Sequence, residues 1–121
     1  MRIKEVSKLY DITPDTLRYY EKVGIIPRVP RDENGIRNYD EKSCEWIAMM
    51  ICLRKANVEI STLVEYVAMV QQGDKTLDER CNMLIEERKK QIQHIDELQK
   101  SLEFLDAKIA KYKNGEMVRG F

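Results

Sequence analysis

The chain has 121 residues, enough for one small domain or a domain with an appendage. Lys and Arg total 21 and Asp and Glu total 21, which excludes a globally basic, histone-like protein and leaves local clusters as the only source of nucleic-acid contact. No apolar run approaches the ~18 residues of a membrane span, the N-terminus lacks the apolar core of a signal peptide, and three cysteines without a close pair fit a reducing cytoplasm better than a disulfide scaffold.

Ile3, Val6, Leu9 and Tyr10 stand at helical spacing and predict a short helix over residues 3–10. Asp11-Ile12 is a turn. Thr13 is a good N-cap, Pro14 follows at the first helical position, and Asp15 puts negative charge in the first turn. This second helix should run to Val23, with Gly24 as its left-handed stop. Two short helices joined by a tight turn read as a helix-turn-helix. Beyond Gly24, Pro27 pushes Ile26 out of the helical region, and Asn34-Gly35 is a strong hairpin signal. A small β-wing is expected, its first strand kept short by Pro30.

Asp40 should cap a third helix over residues 41–56 with Ile47, Met50, Ile51 and the Arg54 stem on its apolar side, and Asn57 should end it. Ser61 is read as the cap of a fourth helix that ends near Gln72, with Leu63, Val64, Val67 and Val70 facing inward. Thr76-Leu77-Asp78-Glu79 reads as a capping box, and no Pro or Gly follows until Gly115. Leu77, Cys81, Leu84, Arg88, Gln91, Ile95, Leu98, Leu102, Leu105, Ile109 and Tyr112 alternate in steps of four and three, a heptad stripe broken in polarity at Arg88 and Gln91. Glu86 with Lys90 and Asp96 with Lys100 add support outside it. A helix of ~54 Å cannot bury that stripe on a domain of about 70 residues, so a second copy of the chain is the expected partner. Leu84, Ile95, Leu98, Leu102, Leu105 and Ile109 are the expected dimerisation residues. The predicted fold is all-α with a small β-wing: residues 1–73 as a winged helix-turn-helix, 74–114 as a dimerisation helix and 115–121 as a frayed tail.

Enzymatic signals are few. The single histidine, His94, lies in a charged helical stretch, the five glycines are scattered, and no phosphate-loop, dinucleotide, zinc-protease or nucleophile-elbow motif is present. No catalytic residue, metal site or cofactor is expected.

The blocks Thr16-Leu17-Arg18-Tyr19-Tyr20-Glu21-Lys22-Val23-Gly24 and Asn34-Gly35-Ile36-Arg37-Asn38-Tyr39, preceded by Ile3-Lys4-Glu5-Val6-Ser7-Lys8-Leu9, resemble the MerR-type transcriptional regulators. The resemblance extends through Leu53-Arg54 into the long helix. It implies a winged helix-turn-helix whose long helix pairs antiparallel across a two-fold axis. It also implies a homodimer on double-stranded promoter DNA that bends and untwists an overlong spacer for RNA polymerase. Ile36 stands where the family usually has tyrosine, and Asn57 where it usually has glycine.

Residues 16–39 carry five basic side chains against three acidic ones. Arg18 stands early enough in the second helix to reach base edges or phosphates, and Tyr19 can donate to a phosphate. Arg37 and Tyr39 would present a cation and a hydroxyl from the wing, and Arg54 would reach the backbone. Thr16, Lys22, Arg28 and Arg31 complete the expected DNA-binding set, Arg28 and Arg31 being equally readable as solvated charges. Tyr20 is expected in the core. The leading reading is a promoter-specific regulator that binds an inverted repeat and responds to stress. The alternatives are an architectural coiled-coil protein that binds DNA without sequence preference, and a metal-responsive sensor. Cys52 is similar in position to the single cysteine of the family's aldehyde- and thiol-stress-responsive branch. That resemblance makes it the candidate sensor, and a buried small hydrophobe is the competing reading.

Overall fold

Ile3 and Val6 turn one side of helix α1 (Ile3–Tyr10) towards the core, and Val6 is completely buried. The helix is closed by Asp11, whose backbone turns left-handed (φ 51°). Helix α2 (Pro14–Val23) starts where the sequence indicates: the Thr13 hydroxyl accepts the Thr16 N–H at 3.1 Å, and Pro14 needs no partner there. Gly24 ends it at φ 89°, a backbone region that costs a residue with a Cβ strain.

The computed structural model describes residues 1–116. From Ile25 to Tyr39 the chain forms no helix, and Ile25, Ile26, Val29 and Tyr39 are buried. The expected β-wing contracts to a tight turn closed by one antiparallel bridge between Arg31 and Arg37, and no strand forms among the described residues. Two causes are visible. Pro30 has no N–H to give a ladder, and the Asp32 carboxylate takes up the N–H groups of Asn34 (2.9 Å) and Ile36 (3.0 Å). The wing's exit is tied to the chain start: Tyr39 N–H donates to the Met1 carbonyl at 2.8 Å, and the Met1 amine donates to the Tyr39 carbonyl at 2.7 Å.

Helix α3 (Glu41–Lys55) is capped by Asp40, which accepts from the N–H and hydroxyl of Ser43, both at 2.8 Å. Asn57, at φ 64°, terminates it. Helix α4 (Ile60–Gln71) begins one residue ahead of the expected cap. Ser61 lies inside the helix, and Glu59 holds the cap position without a side-chain bond. Burial of Val58 and packing of Ile60 against the core fix that start. Leu63 and Val67 are buried as expected, while Val64 and Val70 are half-buried. The shared core joins α1–α4 through Leu17, Tyr20, Ile25, Ile47, Met50 and Leu63 among others.

A 3-10 turn, Asp74–Thr76, leads into helix α5 (Leu77–Lys113). Thr76 is buried and is not spent on the expected box with Glu79. Its hydroxyl lies 2.7 Å from the Met69 carbonyl and 2.8 Å from that of Gly73, and accepts from Arg80 Nε at 3.0 Å. On the outside of α5, Glu86 pairs with Lys89 and Glu87 with Lys90 at i,i+3, replacing the expected Glu86–Lys90 pair; Asp96–Lys100 forms as expected at 3.3 Å. Gly115 and Glu116, expected to fray, instead close the helix. Gly115 turns left-handed (φ 71°), its N–H reaches the Tyr112 carbonyl, and the Glu116 N–H reaches that of Lys111. Residues 117–121 of the expected tail lie outside the described residues. The chain divides into two compact units, Met1–Met83 and the part from Leu84 onward. No described helix is long and apolar enough to cross a membrane.

Candidate nucleic-acid interface

Helix α2 sorts its side chains by face. Leu17 and Tyr20 are buried, so the residues at i, i+3, i+4 and i+7 from Asp15 (Arg18, Tyr19 and Lys22) are left on the solvent side. Arg18 leans back on Asp15 with an Nη1–Oδ1 distance of 2.9 Å. Thr16 is committed to the helix start, its hydroxyl 2.8 Å from that of Thr13.

Glu21 fastens the wing to α2. One carboxylate oxygen accepts the Val29 N–H at 2.9 Å, and the other accepts Arg37 Nε at 2.6 Å. Burial pushes this carboxyl up, but the Arg37 bond, the Val29 N–H and the charges of Arg37 and Arg31 outweigh it, so its pKa lies below the ordinary glutamate value. The turn tip is held the same way. Arg2 pairs with Asp32 at 2.6 Å and Arg31 Nη1 donates to the Gly35 carbonyl at 2.7 Å. The Ile36 N–H and the Arg2 guanidinium hold the Asp32 carboxyl down.

These tethers bring four guanidinium groups together. A cleft of about 200 Å³ is lined by Arg2, Arg18, Arg31 and Arg37 with Ile3, Gly35 and Ile36. On the other side of Arg18 and Arg37 lies a larger cleft of about 510 Å³ that takes in Lys22 and Arg28. Six cations, from the N-cap of α1, from α2 and from the segment after it, thus border two adjoining depressions. Such an arrangement suits phosphate oxygens: arginine offers a planar fork of donors, and anchored side chains lose little entropy on binding.

Two expected contacts sit elsewhere. Tyr39 is 1% exposed, and its hydroxyl is enclosed without a hydrogen-bond partner, so it does not present that hydroxyl from the wing. Burial pushes its pKa up. Its backbone pairing with Met1 fixes this side chain on the core side. Arg54 lines neither cleft and donates from Nη1 to the Val58 carbonyl at 2.7 Å, closing the end of α3. Arg2 was not among the expected residues. It lies far in sequence from the wing, and only the pairing with Asp32 across thirty positions reveals its place.

Cys52 is exposed in the single chain rather than packed in its core; Cys81 is exposed and Cys44 half-buried. On α5 every apolar residue expected to dimerise is open to solvent in the single chain, from Leu84 at 42% to Ile95 at 64%.

A buried-core helix pair with a cationic outer face, a short wing and a long helix with an uncovered apolar stripe defines a helix-turn-helix regulator. The sequence profile described as "MerR family regulatory protein" matches residues 2–39. The chain is 44% identical over 93 residues to the HTH-type transcriptional regulator AdhR of Bacillus subtilis strain 168, covering 77% of this chain and 66% of that one. Its fold is similar to the crystal structure of a MerR family regulator from Listeria monocytogenes, with TM-score 0.90, 35% identity and coverage of 93% and 86%. It is also similar to HiNmlR, described as a MerR family regulator lacking the sensor domain and bound to promoter DNA, with TM-score 0.86, 28% identity and coverage of 95% and 91%. The chain belongs to the MerR family of transcriptional regulators.

Proposed function

We propose that this chain acts as a homodimer that grips promoter DNA at an inverted repeat and distorts it for RNA polymerase. The observation that carries the reading is the pair of cationic clefts that adjoin at Arg18 and Arg37, the smaller against the turn tip and the larger walled on its far side by Val64, Val67, Ala68 and Gln71 of α4. The Tyr19 hydroxyl and the Arg18 guanidinium on the exposed face of α2 enter the major groove. Arg2, Arg31 and Arg37 hold the flanking phosphates, with Lys22 and Arg28 adding backbone contacts and Thr16 stiffening the helix start. Residues 1–73 form the DNA-binding part and 74–114 the pairing helix. Two-fold protein reads two-fold DNA, with half-sites about 34–36 Å or a multiple apart.

The test is footprinting across the gene's own promoter region. A palindromic protected site is expected. Uniform protection without a preferred site would replace this reading by an architectural DNA-binding protein.

The solvent-open position of Cys52, two residues before Arg54 near the end of α3, favours a sensing role. Its thiol is the site at which aldehyde or quinone electrophiles attach. The added bulk alters the joint between α3 and α4, and with it the spacing of the two recognition helices.

A further inference from the structure

Helix α2 carries two carboxylates in different surroundings. Glu21 is half-buried and holds the Val29 N–H and Arg37. Asp15 stands in the first turn on the side of Arg18, Tyr19 and Lys22, with 96% of its side chain open to solvent. Its Oδ1 accepts from Arg18 Nη1 at 2.9 Å, and Arg18 is itself half exposed. An ion pair this open contributes little to folding. The helix dipole favours an acid anywhere in the first turn, but it does not require one on the cationic face.

Beside DNA such a carboxylate is unfavourable almost everywhere. It repels phosphates and weakens the sequence-independent attraction that Arg18, Lys22 and the neighbouring arginines create. The penalty is offset where a base edge offers a hydrogen-bond donor. In the major groove those donors are the N4 amino group of cytosine and the N6 amino group of adenine. Adenine sets its N7 acceptor beside N6, so a carboxylate there also meets a lone pair. Cytosine presents N4 without an acceptor of its own on that edge.

We infer that Asp15 is a specificity-determining residue that accepts a hydrogen bond from cytosine N4 in each half-site, while Arg18 donates to N7 and O6 of guanine in the same or the adjoining base pair. The inference rests on the promoter-binding reading above and deepens it by naming a base that α2 reads. The i,i+3 spacing sets both groups over one strip of the groove, and their contact in the free chain already holds acceptor and donor side by side. A C·G pair offers the complementary order, a donor on cytosine next to acceptors on guanine. A T·A pair in the same place turns the thymine O4 acceptor towards the carboxylate, so the residue discriminates by repulsion as well as by attraction.

The experiment compares the full chain with Asp15→Asn and Asp15→Ala, each first shown to keep the wild-type circular dichroism spectrum and urea midpoint to within ordinary surface effects. The probes are a duplex carrying the promoter's protected repeat, the same duplex with each half-site base pair replaced in turn on both sides, and a scrambled duplex of equal length. Wild type should lose roughly tenfold in affinity when one particular C·G pair in each half-site becomes T·A. Asp15→Ala should be indifferent at that pair and should bind the scrambled duplex about twofold more tightly, since a charge that repels phosphates is gone. Asp15→Asn should prefer adenine there, because a carboxamide accepts from N6 and donates to N7.

Variants that keep the wild-type preference at every pair overturn the inference, whatever their overall affinity, and reduce Asp15 to a partner of the helix dipole. Loss of the preference in Asp15→Ala without the switch to adenine in Asp15→Asn overturns it as well, and leaves Asp15 as a residue that orients Arg18. A wild-type protein with no preferred pair in any duplex overturns the promoter-binding reading itself, a separate outcome.

Discussion

Replacing Glu21 with alanine removes the residue that joins α2 to the wing, and its cost comes from the groups left without a partner. Val29 is 1% exposed, so its N–H would lose its partner where water does not reach. A stranded buried donor costs about 1–3 kcal/mol. Arg37 keeps a quarter of its side chain in solvent, so its share of the ion pair is screened and adds less than about 1 kcal/mol. The expected loss for Glu21→Ala is about 2–3 kcal/mol. Glu21→Gln keeps an acceptor for Val29 and should lose about 1 kcal/mol. Urea unfolding at neutral pH reads the difference, with the fluorescence of Trp46, the sole tryptophan, as probe. The slope against denaturant should stay unchanged. The acid limb gives a second reading with a definite sign. The folded-state pKa of Glu21 lies below its ordinary value of 4.5, so its stabilisation is complete above that value and is lost as pH falls through the lower folded value. Glu21→Gln should lose less stability than wild type over that interval. A Glu21→Ala protein within about 0.5 kcal/mol of wild type, well inside ordinary surface effects, would refute the reasoning.

Arg18→Ala should reduce binding to the specific site by about 1–3 kcal/mol, whereas Lys22→Ala should weaken all DNA alike and lower the salt slope by about one; titrations at several salt concentrations separate them. Arg2→Ala should behave as Lys22→Ala does, and a selective loss of the cognate site would show that it reads bases. Leu98→Lys with Leu102→Lys should give monomers by sedimentation, since charges replace two layers of the stripe; an intact dimer would refute the heptad reading. Thr76→Val, which keeps the volume but removes the hydroxyl between Met69, Gly73 and Arg80, should cost about 1–2 kcal/mol, seen as a lower urea midpoint. Cys52→Ser should bind the promoter normally but no longer change transcription when an aldehyde or diamide is added in vitro, while Cys44→Ser and Cys81→Ser respond; a responsive Cys52→Ser protein would end the sensing proposal.

Local signals are the legible ones. Thr13, Pro14 and Gly24 act within a few residues of themselves, so they locate α2 to the residue. The Asn34-Gly35 turn is legible for the same reason, but the strands around it are not. Whether Asp32 spends its carboxylate on its own turn is decided by competition, not by propensity. Ser61 misleads because a good capping residue one position late competes with the burial of Val58 and Ile60, which a local pattern does not weigh. Tyr39 and Arg37 look alike in the sequence, both as outward-facing wing residues. Their fates separate through partners distant along the chain, Met1 for one and Glu21 for the other. Arg2 escapes notice through the same blindness to distance.

The pairing of Met1 with Tyr39 makes the first 39 residues a closed circuit: the chain returns to its own starting point before it enters α3. The family profile spans nearly the same stretch, residues 2–39. A segment whose two ends lie side by side can be exchanged as a unit without stretching or shortening the helices beyond it. What limits the exchange is upholstery rather than connectivity. Ile25, Ile26 and Val29 form the underside on which the segment rests, and a transplanted reader must bring an apolar underside of the same relief. Within that condition a lineage of such regulators is free to change the address it reads on DNA while keeping the remainder of the chain unaltered.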